Sequence, residues 1–95
     1  MGSQTLPDAG SGRPTRLILY SRPVCHLCAL VKPTVARLCA DFGLELEVRN
    51  VEESPDWETR YGAQVPVAFL GATKLFKYRA TEVELRSRIQ RIIAS

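Results

Sequence analysis

The chain has no apolar run approaching the roughly 18 residues that cross a bilayer, so no membrane span is expected. Its first fifteen residues lack the apolar centre of a signal peptide. They are rich in Gly, Ser and Pro and read as a flexible tail over residues 1–15, native or appended, ahead of one domain over residues 16–95. A strong charge excess is also missing. Thirteen Lys and Arg against ten Asp and Glu leave a net charge of +3, spread along the chain, which gives no argument for nucleic acid as a partner. The densest basic stretch, residues 86–91, has helical spacing and reads as a solvated helix face. Cysteine is scarce and odd in number, three, which speaks against a disulfide-stapled secreted domain and for the reducing cytosol. No internal repeat is visible. The 45% hydrophobic fraction is ordinary for a globular protein, and 95 residues suffice for one modest core.

Two of the three cysteines stand together, in Cys25-His26-Leu27-Cys28, just after the short apolar run Leu17-Ile18-Leu19-Tyr20. Cysteines at i and i+3 on a first helical turn have α-carbons roughly 5–6 Å apart, within the range a disulfide needs. The pair can open and close with little backbone movement. A helix start also presents unpaired N–H groups and a positive partial charge, and both favour a thiolate, the species that attacks a disulfide. Cys25, at the start of the helix, is expected to meet solvent; Cys28, one turn in, is expected to be more buried and to keep its proton to higher pH.

The rest of the chain supplies alternating elements. Leu27, Val31, Val35, Leu38 and Phe42 recur at spacings of three and four and mark one buried helical stripe, with Gly43 as its stop. Pro33 lies inside this helix and is expected to kink it by removing the bond to Ala29. Leu44, Leu46 and Val48 alternate with Glu45, Glu47 and Arg49 as a half-buried strand. Ser54 caps a short helix with Pro55 at its first position, and Gly62 ends it. Val65–Leu70 and Thr73–Tyr78 form a hairpin about Gly71-Ala72. Thr81 and Glu84 make a capping box for a last helix with Leu85, Ile89, Ile92 and Ile93 inside. The order is βαβαββα. A right-handed crossover between the first two strands gives one mixed four-stranded sheet with three helices on its two faces.

This order and these motifs resemble the thioredoxin-like fold and, within it, the glutaredoxin-like proteins. The resemblance covers Leu17 to about Ile93. It rests on the segment from Tyr20 to Cys28, on Val65-Pro66, and on Arg60-Tyr61-Gly62. It implies a thiol–disulfide oxidoreductase in which Cys25 attacks a substrate disulfide and Cys28 resolves the mixed disulfide. It further implies a cis bond before Pro66, although proline at the first residue of a strand is the plainer reading. The cis form would expose the Val65 backbone to an extended substrate. His26 is either a cation that stabilises the thiolate or an exposed first-turn histidine. Arg22 aligns with the glutaredoxin lysine that meets a glutathione carboxylate; as a plain residue it is a surface charge at a strand end. The substrate-binding set is therefore Arg22, His26, Val65 and Pro66. The Gly-Gly-x-Asp segment by which glutaredoxins hold the other end of glutathione is absent here, replaced by Phe76-Lys77-Tyr78-Arg79-Ala80-Thr81, in which Arg79 and Thr81 are candidate ligand contacts.

No bound cofactor is expected. Glutathione or a thioredoxin-reductase-type flavoprotein is the expected electron donor, a disulfide-containing protein or glutathione the partner, and a monomer the working form. Cys39 lies about 16 Å along the helix from Cys28, too far to pair, and reads as a small core residue. Trp57 and Tyr61 read as packing residues. A closed zinc site lacks its four ligands within one chain. The competing readings are a redox-regulated interaction module and an iron–sulfur or metal site bridging two subunits.

Overall fold

The computed structural model describes residues 14–94. The elements are β1 (Arg16–Ser21), α1 (His26–Phe42), β2 (Glu45–Asn50), a 3₁₀ turn (Val51–Glu53), α2 (Pro55–Tyr61), β3 (Val67–Leu70), β4 (Thr73–Lys77) and α3 (Glu82–Ala94). The sheet order is β2-β1-β3-β4. β1 and β2 run parallel, whereas β3 is antiparallel to both β1 and β4. This is the mixed thioredoxin-like α/β fold expected from the sequence. Of the tail expected over residues 1–15, residues 1–13 lie outside the described residues. Thr15 belongs with the domain, since its carbonyl accepts the Glu45 N–H at 2.9 Å.

Alternation along β1 sorts the side chains onto two faces. Leu17 and Leu19 enter a core with Val31, Val35 and Leu38 of α1 and Leu85 and Ile89 of α3. Tyr20, with Ile18 packed beside it, faces the other way, toward Val51, Val67 and the α2 residues Trp57 and Tyr61. The Tyr20 ring stacks on Tyr61 at 4.1 Å between centroids and meets Trp57 edge-on at 5.9 Å. Arg49 closes this second cluster: its guanidinium lies 5.1 Å from the Trp57 ring centroid and donates to the Tyr20 hydroxyl at 3.0 Å. Trp57 and Tyr61 are thus packing residues.

The punctuation is local chemistry. Gly43 ends α1 at φ 69°, where a Cβ would be strained, and its N–H and that of Leu44 satisfy carbonyls of the last turn. Ser54 Oγ accepts the Trp57 N–H, and Pro55 opens α2. Thr81 and Glu84 bond reciprocally, 3.1 and 2.9 Å, as a capping box. α1 continues through Pro33 to Phe42.

Two features depart from the sequence reading. Val48, expected to turn inward, is exposed, because β2 is an edge strand and its outer flank has no neighbouring strand. A register shift opposite Ala68 and Phe69 lets consecutive β4 residues, Leu75 and Phe76, both bury in the α1–α3 core, which strict alternation forbids. Among the described residues, no helix is long and apolar enough to cross a membrane.

Leu38 is fully enclosed on the inner face of α1. Leu38→Ala is expected to cost about 2–5 kcal/mol, read as a lowered urea midpoint with unchanged slope.

Candidate active site

Cys25 is the N-cap residue of α1, in extended conformation, and it caps with sulfur. Its Sγ accepts the Cys28 N–H at 3.2 Å. The Ala29 N–H bonds to the Cys25 carbonyl at 3.1 Å, which starts the helical ladder. Cys25 is partly exposed, whereas Cys28 is 2% exposed. Their α-carbons are 5.2 Å apart and the sulfurs are paired as a disulfide. The first turn of α1 carries no carboxylate, so no negative charge on that turn opposes one at the Cys25 sulfur. His26 is exposed beside it.

Strand register assembles the rest. Val67 pairs with Tyr20, so the residues before β3 reach the end of the sheet where β1 leads into the Cys25 turn. There the Val65–Pro66 peptide bond is cis, Pro66 is fully buried and Val65 partly so. The Pro66 carbonyl accepts the Tyr78 N–H at 2.7 Å, which fastens this segment to the end of β4. His26 and Tyr78 line one groove of about 320 Å³, formed with Leu30, Thr34, Arg79 and Ala80. The structure therefore brings Cys25, Cys28, His26, Val65 and Pro66 to one end of the molecule.

Arg22 sits at that end but is engaged elsewhere. Its Nη1 donates to Glu58 at 3.0 Å and to Glu52 at 3.4 Å. Its Nη2 donates to the other Glu58 oxygen and, at 2.9 Å, to the Gly62 carbonyl. Four of the five guanidinium donors thus hold the β1 exit against α2. An Arg22 free to receive a substrate carboxylate is not what the structure presents, because Glu58 already takes it in the bidentate way. Gly62 explains the closeness of the clamp. A Cβ there would run into the Glu58 carboxylate and lie 2.5 Å from the Glu58 carbonyl and 2.8 Å from Arg22 Nη2. Sequence reading treats Gly62 as a helix stop and as part of the turn that leads to Pro66, yet its φ is an ordinary −54°, and space rather than a left-handed turn is what requires glycine.

Cys39 is buried and unpaired, and burial pushes its thiol pKa up. Among the described residues, no three His, Cys, Asp or Glu side chains converge as a metal site.

The profile of the Glutaredoxin-like domain (DUF836) matches residues 16–90, most of the chain and both cysteines of the pair. The chain belongs to this glutaredoxin-like family. Solved structures agree on the fold. The protein XcR50 from X. campestris superposes with TM-score 0.67 at 23% identity, over 79% of this chain and 96% of its own. Protein Ne2328 from Nitrosomonas europaea gives 0.64 at 26%, over 93% and 98%. A point mutant of thioredoxin from Halobacterium salinarum gives 0.64 at 21%, over 98% and 87%. No curated protein matches the chain. The glutaredoxin-like assignment thus accounts for the fold and the position of the Cys-x-x-Cys pair.

Sequence reasoning missed Glu58, the close approach at Gly62 and the conformation of Tyr78. Tyr78 has φ 70° although it is not glycine. The Arg79 N–H reaches back to the Lys77 carbonyl at 2.8 Å and closes a γ-turn around it. No residue pattern announces that turn.

Two tests address the clamp. Gly62→Ala is expected to destabilise by about 1–3 kcal/mol in urea unfolding, because the nearest fixed obstacle is backbone. Glu58 has its pKa lowered, first by its hydrogen bond from Arg22 and then by the Arg22 charge. A depressed folded value means the stabilisation is fully present above the ordinary glutamate value of about 4.3 and is lost as pH falls through the folded value. Glu58→Gln is expected to remove that part of the acid-side loss in a pH series of urea midpoints.

Proposed function

We propose that this protein is a thiol–disulfide oxidoreductase that works by a dithiol cycle. The observation that carries the reading is the Cys25 sulfur itself. It is partly exposed, accepts a backbone N–H at a helix start, and stands within bonding distance of a buried second sulfur. In the reduced protein the same N–H and the helix terminus favour negative charge on Cys25. The Cys25 thiolate attacks one sulfur of a substrate disulfide, forming a mixed disulfide and expelling the other sulfur as a thiolate, which takes up a proton. Cys28 then loses its proton, attacks Cys25 Sγ and releases the second substrate thiol. The substrate gains two electrons and the enzyme is left with the Cys25–Cys28 disulfide. Two equivalents of glutathione, or a reduced flavoprotein of the thioredoxin-reductase type, return those electrons. The setting is the reducing cytosol and the working unit a monomer with no bound cofactor.

Val65 and Pro66 belong to this cycle as the substrate's docking edge. Proline offers no competing N–H, and the backbone of Val65 is the candidate partner for an extended segment beside Cys25. His26, exposed next to the attacking sulfur, is placed to meet the same segment.

Intact-mass analysis after equilibration across graded ratios of reduced to oxidised glutathione tests the reading. A reversible loss of two hydrogens, mapped to Cys25 and Cys28, is expected. Cys25→Ser should abolish disulfide reduction, and Cys28→Ser should trap mixed disulfides on Cys25. Adducts collecting instead on Cys39 would overturn the assigned roles. An absence of any dithiol couple, or visible absorbance from a cluster held between two copies, would replace the oxidoreductase with a module that binds a partner or metal.

A further inference from the structure

The groove beside Cys25 carries a cation that the ion pairs of the surface leave out. Six arginines, Arg16, Arg22, Arg37, Arg49, Arg60 and Arg86, pair with carboxylates. Arg79, on the groove wall, has no acidic partner among the described residues. The two carboxylates next to it in sequence are committed elsewhere. Glu82 pairs with Arg37 and Arg86, and Glu84 closes the capping box with Thr81. No carboxylate lines the groove, whereas His26 stands at its Cys25 end.

The same end of the molecule also exposes apolar side chains. Val24, which precedes the attacking cysteine, is 93% exposed. Leu30 and Tyr78, both on the groove, are 61% and 43% exposed. Tyr78 is held there by three bonds. Its N–H goes to Pro66, the Arg79 N–H behind it to Lys77, and its hydroxyl to the Ala63 carbonyl at 3.2 Å. A tyrosine kept at φ 70° against its backbone preference is a positioned wall. Glutathione has carboxylates for Arg79 but no apolar side chain to cover Leu30 and Tyr78. An extended protein segment has both.

Resting on the oxidoreductase reading, we infer that the substrate disulfide lies in a protein segment with an apolar and an acidic residue beside its cysteine. The apolar side chain is seated between Leu30 and Tyr78, and the carboxylate is paired with Arg79. Arg79 and Tyr78 are the specificity-determining residues of the site.

The test uses the full, pre-reduced chain and fluorogenic disulfide peptides whose cysteine is flanked by Leu and Glu, by Leu and Lys, or by Ser and Glu, with oxidised glutathione as a fourth substrate. At low salt, kcat/KM for the Leu–Glu peptide is expected to exceed that for Leu–Lys by about two- to fivefold, as an exposed ion pair provides. The preference should shrink as salt is added. Arg79→Gln should bring the ratio toward one, and Arg79→Glu should invert it. Leu–Glu should exceed Ser–Glu by about fivefold, the effect of partly burying one leucine. Tyr78→Gly, which suits φ 70° and so preserves the turn, should remove that second ratio. Equal rates for the Glu and Lys peptides, ratios indifferent to Arg79 and Tyr78, or oxidised glutathione outpacing every peptide would overturn the inference. Fluorescence anisotropy with the same peptides carrying serine for cysteine separates the two readings. Preferential binding of Leu–Glu with no reduction of any disulfide keeps the groove assignment and removes the oxidoreductase.

Discussion

The sulfur that caps α1 is the contact around which this molecule is arranged. A helix start leaves N–H groups without partners, and serine, threonine, asparagine or aspartate oxygen ordinarily satisfies them. Here Cys25 Sγ takes the Cys28 N–H, so one atom both begins the helix and stands ready to exchange bonds. The cap stays partly exposed, and Val24 just before it is exposed. The residue three positions on must turn inward, because that face of α1 carries Val31, Val35 and Leu38 into the core. One partly exposed and one enclosed sulfur stand on a single helical turn.

Holding the cap in place falls to contacts outside the helix. The chain from β1 to α1 passes through Arg22, and Arg22 is tied to Glu58, Glu52 and the Gly62 carbonyl across to α2. The β3 side is tied through Pro66 to Tyr78. Loops on three sides of Cys25 are thereby fastened to each other by a guanidinium fork and a backbone bond. Surface ion pairs contribute little to stability one at a time, but a bidentate pair with a third, backbone acceptor also fixes direction. Positioning, more than stability, is what this clamp contributes.

The two cores divide the labour. The larger, between the sheet and α1 and α3, is mostly aliphatic and anchors the helix that carries both cysteines. The smaller, under α2, is aromatic, and Arg49 covers it with its guanidinium against Trp57 and Tyr20. It anchors the helix that supplies Glu58. The site lies at the end of the sheet where elements from both layers meet.

Much of this was legible in the chain itself. Periods of two and three to four, Gly43, Ser54-Pro55 and the Thr81–Glu84 box were enough to order the elements, since these signals act between residues a few positions apart. The Cys25–Cys28 pair was legible for the same reason: i and i+3 on one turn are neighbours whatever the rest of the fold does. Arg22 shows where such reading stops. Alone it is a free cation suited to a substrate carboxylate, and only folding brings Glu58, 36 positions away, to claim it. Gly62 and Tyr78 are alike in this respect, one crowded by the Glu58 carbonyl and by Arg22 drawn in against Glu58, the other held by a bond to Pro66 twelve positions earlier. Local sequence determined the elements and the reactive pair through short-range sterics and capping. Tertiary structure alone decided which charges are occupied, which apolar groups stay uncovered and what lies beside Cys25, because those depend on contacts that exist only once the sheet has closed.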